Sequence, residues 1–345
     1  MGLMLHVKTR QKAFIDRLAS YGLCINYERT QEISNKLSAA VCAQFDQDGV
    51  VCPSQLRSGL FTVGALDNID HNMTSRNAMD AFHGTAISLM QFPSSDKPGS
   101  IRNPLKIQLD GFVKDQLQLP LEYSEVPPVH ALQSEYFAPK MTEGSLKADA
   151  TLMEQSRSNQ NEWLVKVAQT LENNIELVDR EFISWAAYHA SKESIKQRSP
   201  SLIALMPLFV EQAHTPAMIA HGMSVVRKAI QHLNPGQIPI VTMDQPLYSI
   251  AKQIQWSWPD EFGEKKFVVV LGALHIEMNL INLLGDLLDG SGWTRLISLA
   301  EVTTSGRADS VLKGSHVTRS RYVHQVTAST LYILQVGSFH YSIIG

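Results

Sequence analysis

Cysteine is scarce in this chain: three residues in 345, Cys24, Cys42 and Cys52, all in the first sixth and none forming a CxxC pair. An odd, clustered set of this kind excludes a disulfide framework and points to a reducing compartment. Charge of one sign is lacking too. Thirty Lys and Arg stand against 33 Asp and Glu, a net charge of −3, so any nucleic-acid or membrane partner has to be met by a local patch rather than by bulk charge. Long uninterrupted apolar runs are missing. The most apolar stretch, 267–288, carries His275, Glu277, Asn279, Asn282 and Asp286, which is incompatible with a membrane span. The N-terminal MGLMLHVKTRQK offers only seven mostly apolar residues before its basic cluster, and His6 stands where a myristoylation signal wants Ser or Thr. The expectation is an intracellular protein, nuclear or cytoplasmic, neither secreted nor lipid-anchored. Walker A, GxGxxG, GxSxG and HExxH motifs are likewise absent, which removes the usual support for P-loop, Rossmann, α/β-hydrolase and zincin chemistry.

What is present is a chain with 44% hydrophobic and 18% charged residues, enough to bury one large core or two ordinary ones. Apolar periodicity predicts two helices within 8–47, the first stopped at Gly22, as part of a helical N-terminal region over 1–55. The runs 60–67 and 84–92 read as strands and 106–112 as a weaker third, giving the first part of an α/β domain over 56–112. Residues 113–160 are polar, proline-bearing and weakly periodic, and are expected to form an irregular excursion or linker. Helical patterns return over 161–180, 182–196 and 216–233, followed by a buried strand at 238–243, a helix at 246–256, a strand at 267–274 and a helix at about 276–289. These make 161–335 the remainder of the α/β domain, with 336–345 an atypical tail. The continuous run Phe267-Val268-Val269-Val270-Leu271 is what a central parallel strand needs, and the element order predicts an α/β sheet covered on both faces.

Two acids occupy matching positions. Asp67 closes the first strand in Gly64-Ala65-Leu66-Asp67-Asn68, and Asp244 closes a later one in Val241-Thr242-Met243-Asp244-Gln245. Ligands of open α/β sheets bind beyond the carboxyl ends of strands, and two carboxylates brought together there call for a hard cation such as Mg²⁺ or Mn²⁺. Metal-assisted phosphoryl transfer is then within reach. Each Asp can equally serve as the cap of the next turn or helix. His275 and Glu277 follow the most buried strand. Two residues apart, they diverge on a helix, so one rather than both is expected beside the acids; as an acid–base pair they also admit metal-independent chemistry on a small molecule. His71 and His83 are further polar groups near the first strand. The segment 295–321 carries Arg295, Arg307, Lys313, Arg319 and Arg321 against Glu301 and Asp309, the best local candidate for phosphate contact with DNA, or else a solvated helix face.

The runs ALDNIDHN, FHGT, VTMDQPLYSIAKQIQW, LGALHIEMNLINLLGDLLDGSGW and ADSVLKGSHVTRSRYVHQVT resemble an uncharacterised multi-copy protein family of cnidarians and other marine invertebrates. The Asp-Asn, Asp-Gln and His-x-x-Met signals among them also look like a fungal transposon-associated domain. That second resemblance implies a transposon-derived, ribonuclease-H-like fold: a mixed sheet flanked by helices, whose strand-end acids hold two divalent metals for cutting and joining DNA. Carried over, it makes Asp67 the first-strand acid, Asp244 the second, and His275 the histidine after the next strand. A third acid would come from a late helix, where this chain offers Glu277, Asp286 and Glu301. The tail VGSFHYSIIG departs from the family pattern, and the expectation is a truncated copy that keeps the fold and can lose the activity. The function implied is a metal-dependent polynucleotidyl transferase or nuclease. The alternative is a non-catalytic nucleic-acid or protein interaction module of domesticated transposon origin, binding through Arg307, Lys313, Arg319 and Arg321.

Overall fold

The computed structural model describes residues 1–71, 82–107, 120–132, 143–172, 184–192 and 199–344. In chain order the elements are α1 (Gly2–Thr9), α2 (Lys12–Ser20), α3 (Tyr27–Asp48), β1 (Thr62–His71), β2 (Phe82–Gln91), α4 (Leu121–Ser124), α5 (Glu143–Glu172), α6 (Trp185–Lys192), β3 (Leu202–Leu205), α7 (Pro216–Leu233), β4 (Ile240–Met243), α8 (Gln245–Ser257), α9 (Pro259–Phe262), β5 (Val268–Leu271), α10 (Ala273–Leu288), α11 (Trp293–Leu299), α12 (Ser305–Leu312) and α13 (Val317–Ile344). The chain divides into two compact units. The first comprises Met1–Tyr136 and Arg198–Leu271, the second Phe137–Gln197 and Gly272–Gly345.

The first unit is a mixed α/β domain around one five-stranded sheet of order β3-β2-β1-β4-β5. β2 runs antiparallel to both β1 and β3, whereas β4 is parallel to β1 and β5 to β4. The chain therefore builds to one side of β1 through a meander and to the other through crossover helices. α7 makes the first crossover. Thr215 caps it, accepting from Met218 N at 3.1 Å, and Pro216 opens it, a start signal whose fixed φ suits the first helical turn. Its apolar stripe lies against the sheet at very close range: a Cβ on Gly222 would stand 2.3 Å from Leu66 Cδ1, and one on Gly64 would stand 2.7 Å from Val226 Cγ1. α8 makes the second crossover, capped by Asp244. The core between helices and sheet holds Leu66, Ile87, Leu89, Met218, Met223, Val226, Val241 and Met243, all at most 2% exposed.

One face of the sheet departs from expectation. Strand side chains alternate, and on the parity opposite this core Ile203, Leu205, Val268 and Val270 are 41–61% exposed, so coverage of both faces is not found for these strands. Several boundaries also differ. The two helices expected within 8–47 are α2 and α3, and a further short helix, α1, precedes them and ends at Arg10 in the left-handed region. The expected strand at 106–112 falls mostly outside the described residues, and β3, not expected from the sequence, pairs with β2. The last part of the expected irregular stretch, from 143 to 160, is instead the first half of α5, because residues such as Ala, Leu, Glu, Lys and Gln favour helix without a strong apolar period. The tail continues α13 to Ile344.

The second unit is helical. α11, α12 and α13 enclose Trp293, Ile297, Ala308, Val311 and Val323, with Trp293 stacked on His324 at 5.1 Å and donating Nε1–H to Thr327 Oγ1 at 3.0 Å. α5, α6 and α13 share a smaller cluster of Trp163, Leu164, Val167 and Tyr188 with Trp185 and Tyr332. No helix among the described residues is long and apolar enough to cross a membrane.

Candidate metal centre

The register of β1 against β4 pairs Leu66 with Met243. Asp67 and Asp244 each follow the last pair of that ladder, so their backbones lie close together, on the order of 5 Å apart; Asp67 does not close its strand as expected, because β1 runs on to His71 in its pairing with β2. Both continue the parity of Ala65 and Thr242, the side away from α7. The position is special in the topology. β1 is where the sheet's growth reverses direction, from β2 and β3 on one side to β4 and β5 on the other, and the crevice beyond the strand ends at such a reversal is where open α/β sheets bind ligands.

Local bonds hold each acid. Asp67 is exposed, and its Oδ1 accepts from Asn68 N at 2.8 Å. Asp244 is half-buried, and its Oδ1 accepts from Leu247 N at 3.1 Å as the cap of α8. One oxygen of Asp244 is thereby engaged and the other remains. The neighbourhood is pinned by a residue that motif reading left without a role: Asn68 Oδ1 accepts from Ala213 N at 2.7 Å, while Thr85, opposite Asn68 on β2, donates to Glu211 O at 2.6 Å. These two bonds fix the 209–213 loop beside the β1–β2 pair. The Asp-Asn dipeptide was the available signal, since an amide side chain beside an acid can accept from a loop backbone N–H.

Two carboxylates form a partial donor set. Among the described residues no group of three or more His, Cys, Asp and Glu is gathered as a metal cage. The pair nevertheless fits Mg²⁺, which keeps several waters and commonly binds through one or two carboxylates plus substrate phosphates. It fits Zn²⁺ poorly, because no His or Cys joins it.

His275 and Glu277 fall in the first two turns of α10, within the second unit. Glu277 is held by Arg321: Nε donates to Oε1 at 2.5 Å and Nη2 to Oε2 at 2.6 Å. The guanidinium keeps the Glu277 carboxyl below the usual carboxylate range, and the carboxylate raises Arg321 in turn. In this arrangement the two side chains are engaged with each other. Arg307 and Lys313 are exposed and Arg319 is half-buried. Lys313 lines a cleft with Asp286, Asp289 and Asp309. His83 lies on β2 opposite Asp70; for His71 only its strand position is described.

Residues 184–342 match the model of a family described as a domain of unknown function (DUF8702). The match takes in α6 to α13 with Asp244, His275, Glu277 and the basic residues, and it leaves β1, β2 and Asp67 outside. No curated protein and no solved structure matches the chain.

Proposed function

We propose that this protein is a ribonuclease-H-like, transposon-derived protein in which Asp67 of β1 and Asp244 at the end of β4 bind Mg²⁺ or Mn²⁺ for chemistry on DNA phosphodiesters. The observation that carries the reading is the side-by-side placement of the two acids at the point where the sheet reverses its growth. The strand order supports it: a three-strand meander with a reversed second strand, followed by two parallel crossover strands on the far side of β1, is the mixed sheet such a fold requires. When bound, the metal would neutralise phosphate charge and activate water. Asp67 and Asp244 would hold and orient it, Asn68 would keep the neighbouring loop in place, and phosphate oxygens would complete the coordination. DNA as substrate implies an intracellular setting, with which three free cysteines agree.

The test is a Mn²⁺ titration of the full chain followed by thermal unfolding, with Asp67→Asn and Asp244→Asn beside it. Asn retains the capping acceptor of either residue, so both variants should fold. At about a hundredfold excess over Kd, wild type should gain about 2.7 kcal/mol, and each variant should lose most of that gain. Metal-dependent nicking of duplex DNA should fall with it. Equal stabilisation of wild type and both variants overturns the metal site.

A second reading rests on the helix-cap role of Asp244. If capping is all that residue does, the chain is a non-catalytic interaction module of domesticated transposon origin, and Mn²⁺ leaves its unfolding unchanged while DNA or a protein partner still stabilises it.

A further inference from the structure

The first unit contains a second concave site on the far side of α7. The segment after α4 lies across that helix and encloses a cleft of about 540 Å³. Its anchors are firm. Tyr123 is buried and stacked on Phe209 with ring centroids 4.5 Å apart and planes 9° from parallel. His221 Nε2–H donates to Glu122 O at 2.7 Å, and the mostly buried Glu122 carboxylate pairs with Lys228. Val126 and Leu132 pack on the main core. The segment is thus held at several points, and the cleft beneath it is formed before any ligand arrives, which lowers the cost of binding.

Its walls are chemically distinct. Trp258 and Phe262 form one side, Pro127 and Pro128 line it as well, and Ala217, Ala220 and Ser224 of α7 give a floor of small side chains. The charges inside almost cancel. Lys228 is matched by Glu122 and Arg227 by Glu261, which leaves the exposed Glu125 as a carboxylate with no side-chain partner among the described residues. An apolar cleft with an indole wall and one unmatched negative charge is complementary to an organic cation, since a cation over an indole face is attracted by the ring and the carboxylate adds an ion pair.

We infer that the cleft between α7, Trp258 and the segment 121–130 binds an organic ammonium or guanidinium group carried on an apolar stem, with Glu125 as its counter-ion and Trp258 as its aromatic face. This does not depend on the metal reading, because none of these residues lies on β1 or β4. The cation can reach the cleft as a free amine or as a basic side chain of a polypeptide, and the experiment separates the two.

Isothermal titration calorimetry of the full chain would use 2-phenylethylamine against the neutral 2-phenylethanol, and an end-blocked Gly-Phe-Lys-Phe-Gly peptide against its norleucine counterpart. Saturable binding of the amine, with the alcohol at least several-fold weaker, is the expected result, and Glu125→Gln should weaken the amine about three- to fivefold. Trp258→Leu should weaken it by a similar factor, its melting curve confirming that it folds. Binding of the peptide alone, with the same losses in both variants, would assign the cation to a polypeptide partner. Equal affinity for charged and neutral probes, no saturation by either, or full affinity in Glu125→Gln would each overturn the assignment.

Discussion

Single residues set how closely the first unit packs. Gly222 exists because α7 rides directly on β1: any side chain there meets Leu66, itself fully buried. Gly222→Ala should destabilise the fold by about 1–3 kcal/mol, the usual cost of forcing a methyl into a filled core, read as a lower denaturant midpoint at unchanged slope. Cys52 shows the same burial chemically. Its thiol is pushed up to about 11 by burial, against a smaller opposing effect of Arg102, whose Nη1 lies 3.1 Å from Sγ. Iodoacetamide at pH 8 should therefore label the half-buried Cys24 well before Cys52, with peptide mass spectrometry reading the order. At this scale the sequence was informative where chemistry is local. Asp67 and Asp244 stood out because each follows an apolar run, although only Asp244 ends its strand and β1 continues to His71. The Glu277–Arg321 pair was hidden because its members are 44 residues apart and belong to different helices.

That pair is best examined at the level of elements, where it clips α10 to α13. The folded-state pKa of Glu277 is lowered, so its contribution is fully present above the unfolded value of about 4.3 and is lost as pH falls through the folded value. With side chains 49% and 29% exposed, the pair is worth no more than about 1 kcal/mol. Glu277→Gln should thus lower the stability of the second unit by up to that amount at pH 7, and the difference from wild type should vanish as pH drops below 4 in acid-melting curves. Element boundaries were readable where start and stop chemistry is explicit. The Thr215-Pro216 opening and Asn234-Pro235-Gly236 end delimit α7, and the Asp244 cap opens α8. β3 had no such marks: four residues, Leu202–Leu205, cannot show a period, and only pairing with β2 makes them a strand. The first half of α5, 143–160, was missed for the opposite reason, since its helix-forming residues carry no dominant apolar stripe.

For the molecule as a whole, two units with separate cores should give two calorimetric transitions. Mn²⁺ should raise only the transition of the sheet-bearing unit, by roughly 5–10 °C at saturation for a body of that size. A single transition that moves as one would count against separate cores. The units are not consecutive in sequence: each is made of two stretches of chain, and the matched family region 184–342 takes parts of both.

The interleaving has a consequence for synthesis. β1 lies at the centre of the sheet, yet its parallel neighbour arrives late, with Thr62 bonded to Gln237 across 175 residues. At about 5–20 residues per second on the ribosome, the β1–β2 pair waits on the order of 10–35 s with one edge bare while the intervening chain emerges. A nascent chain in that state displays an unpaired apolar strand, and the yield of native protein should respond to translation speed and to the supply of chaperones that shield such edges.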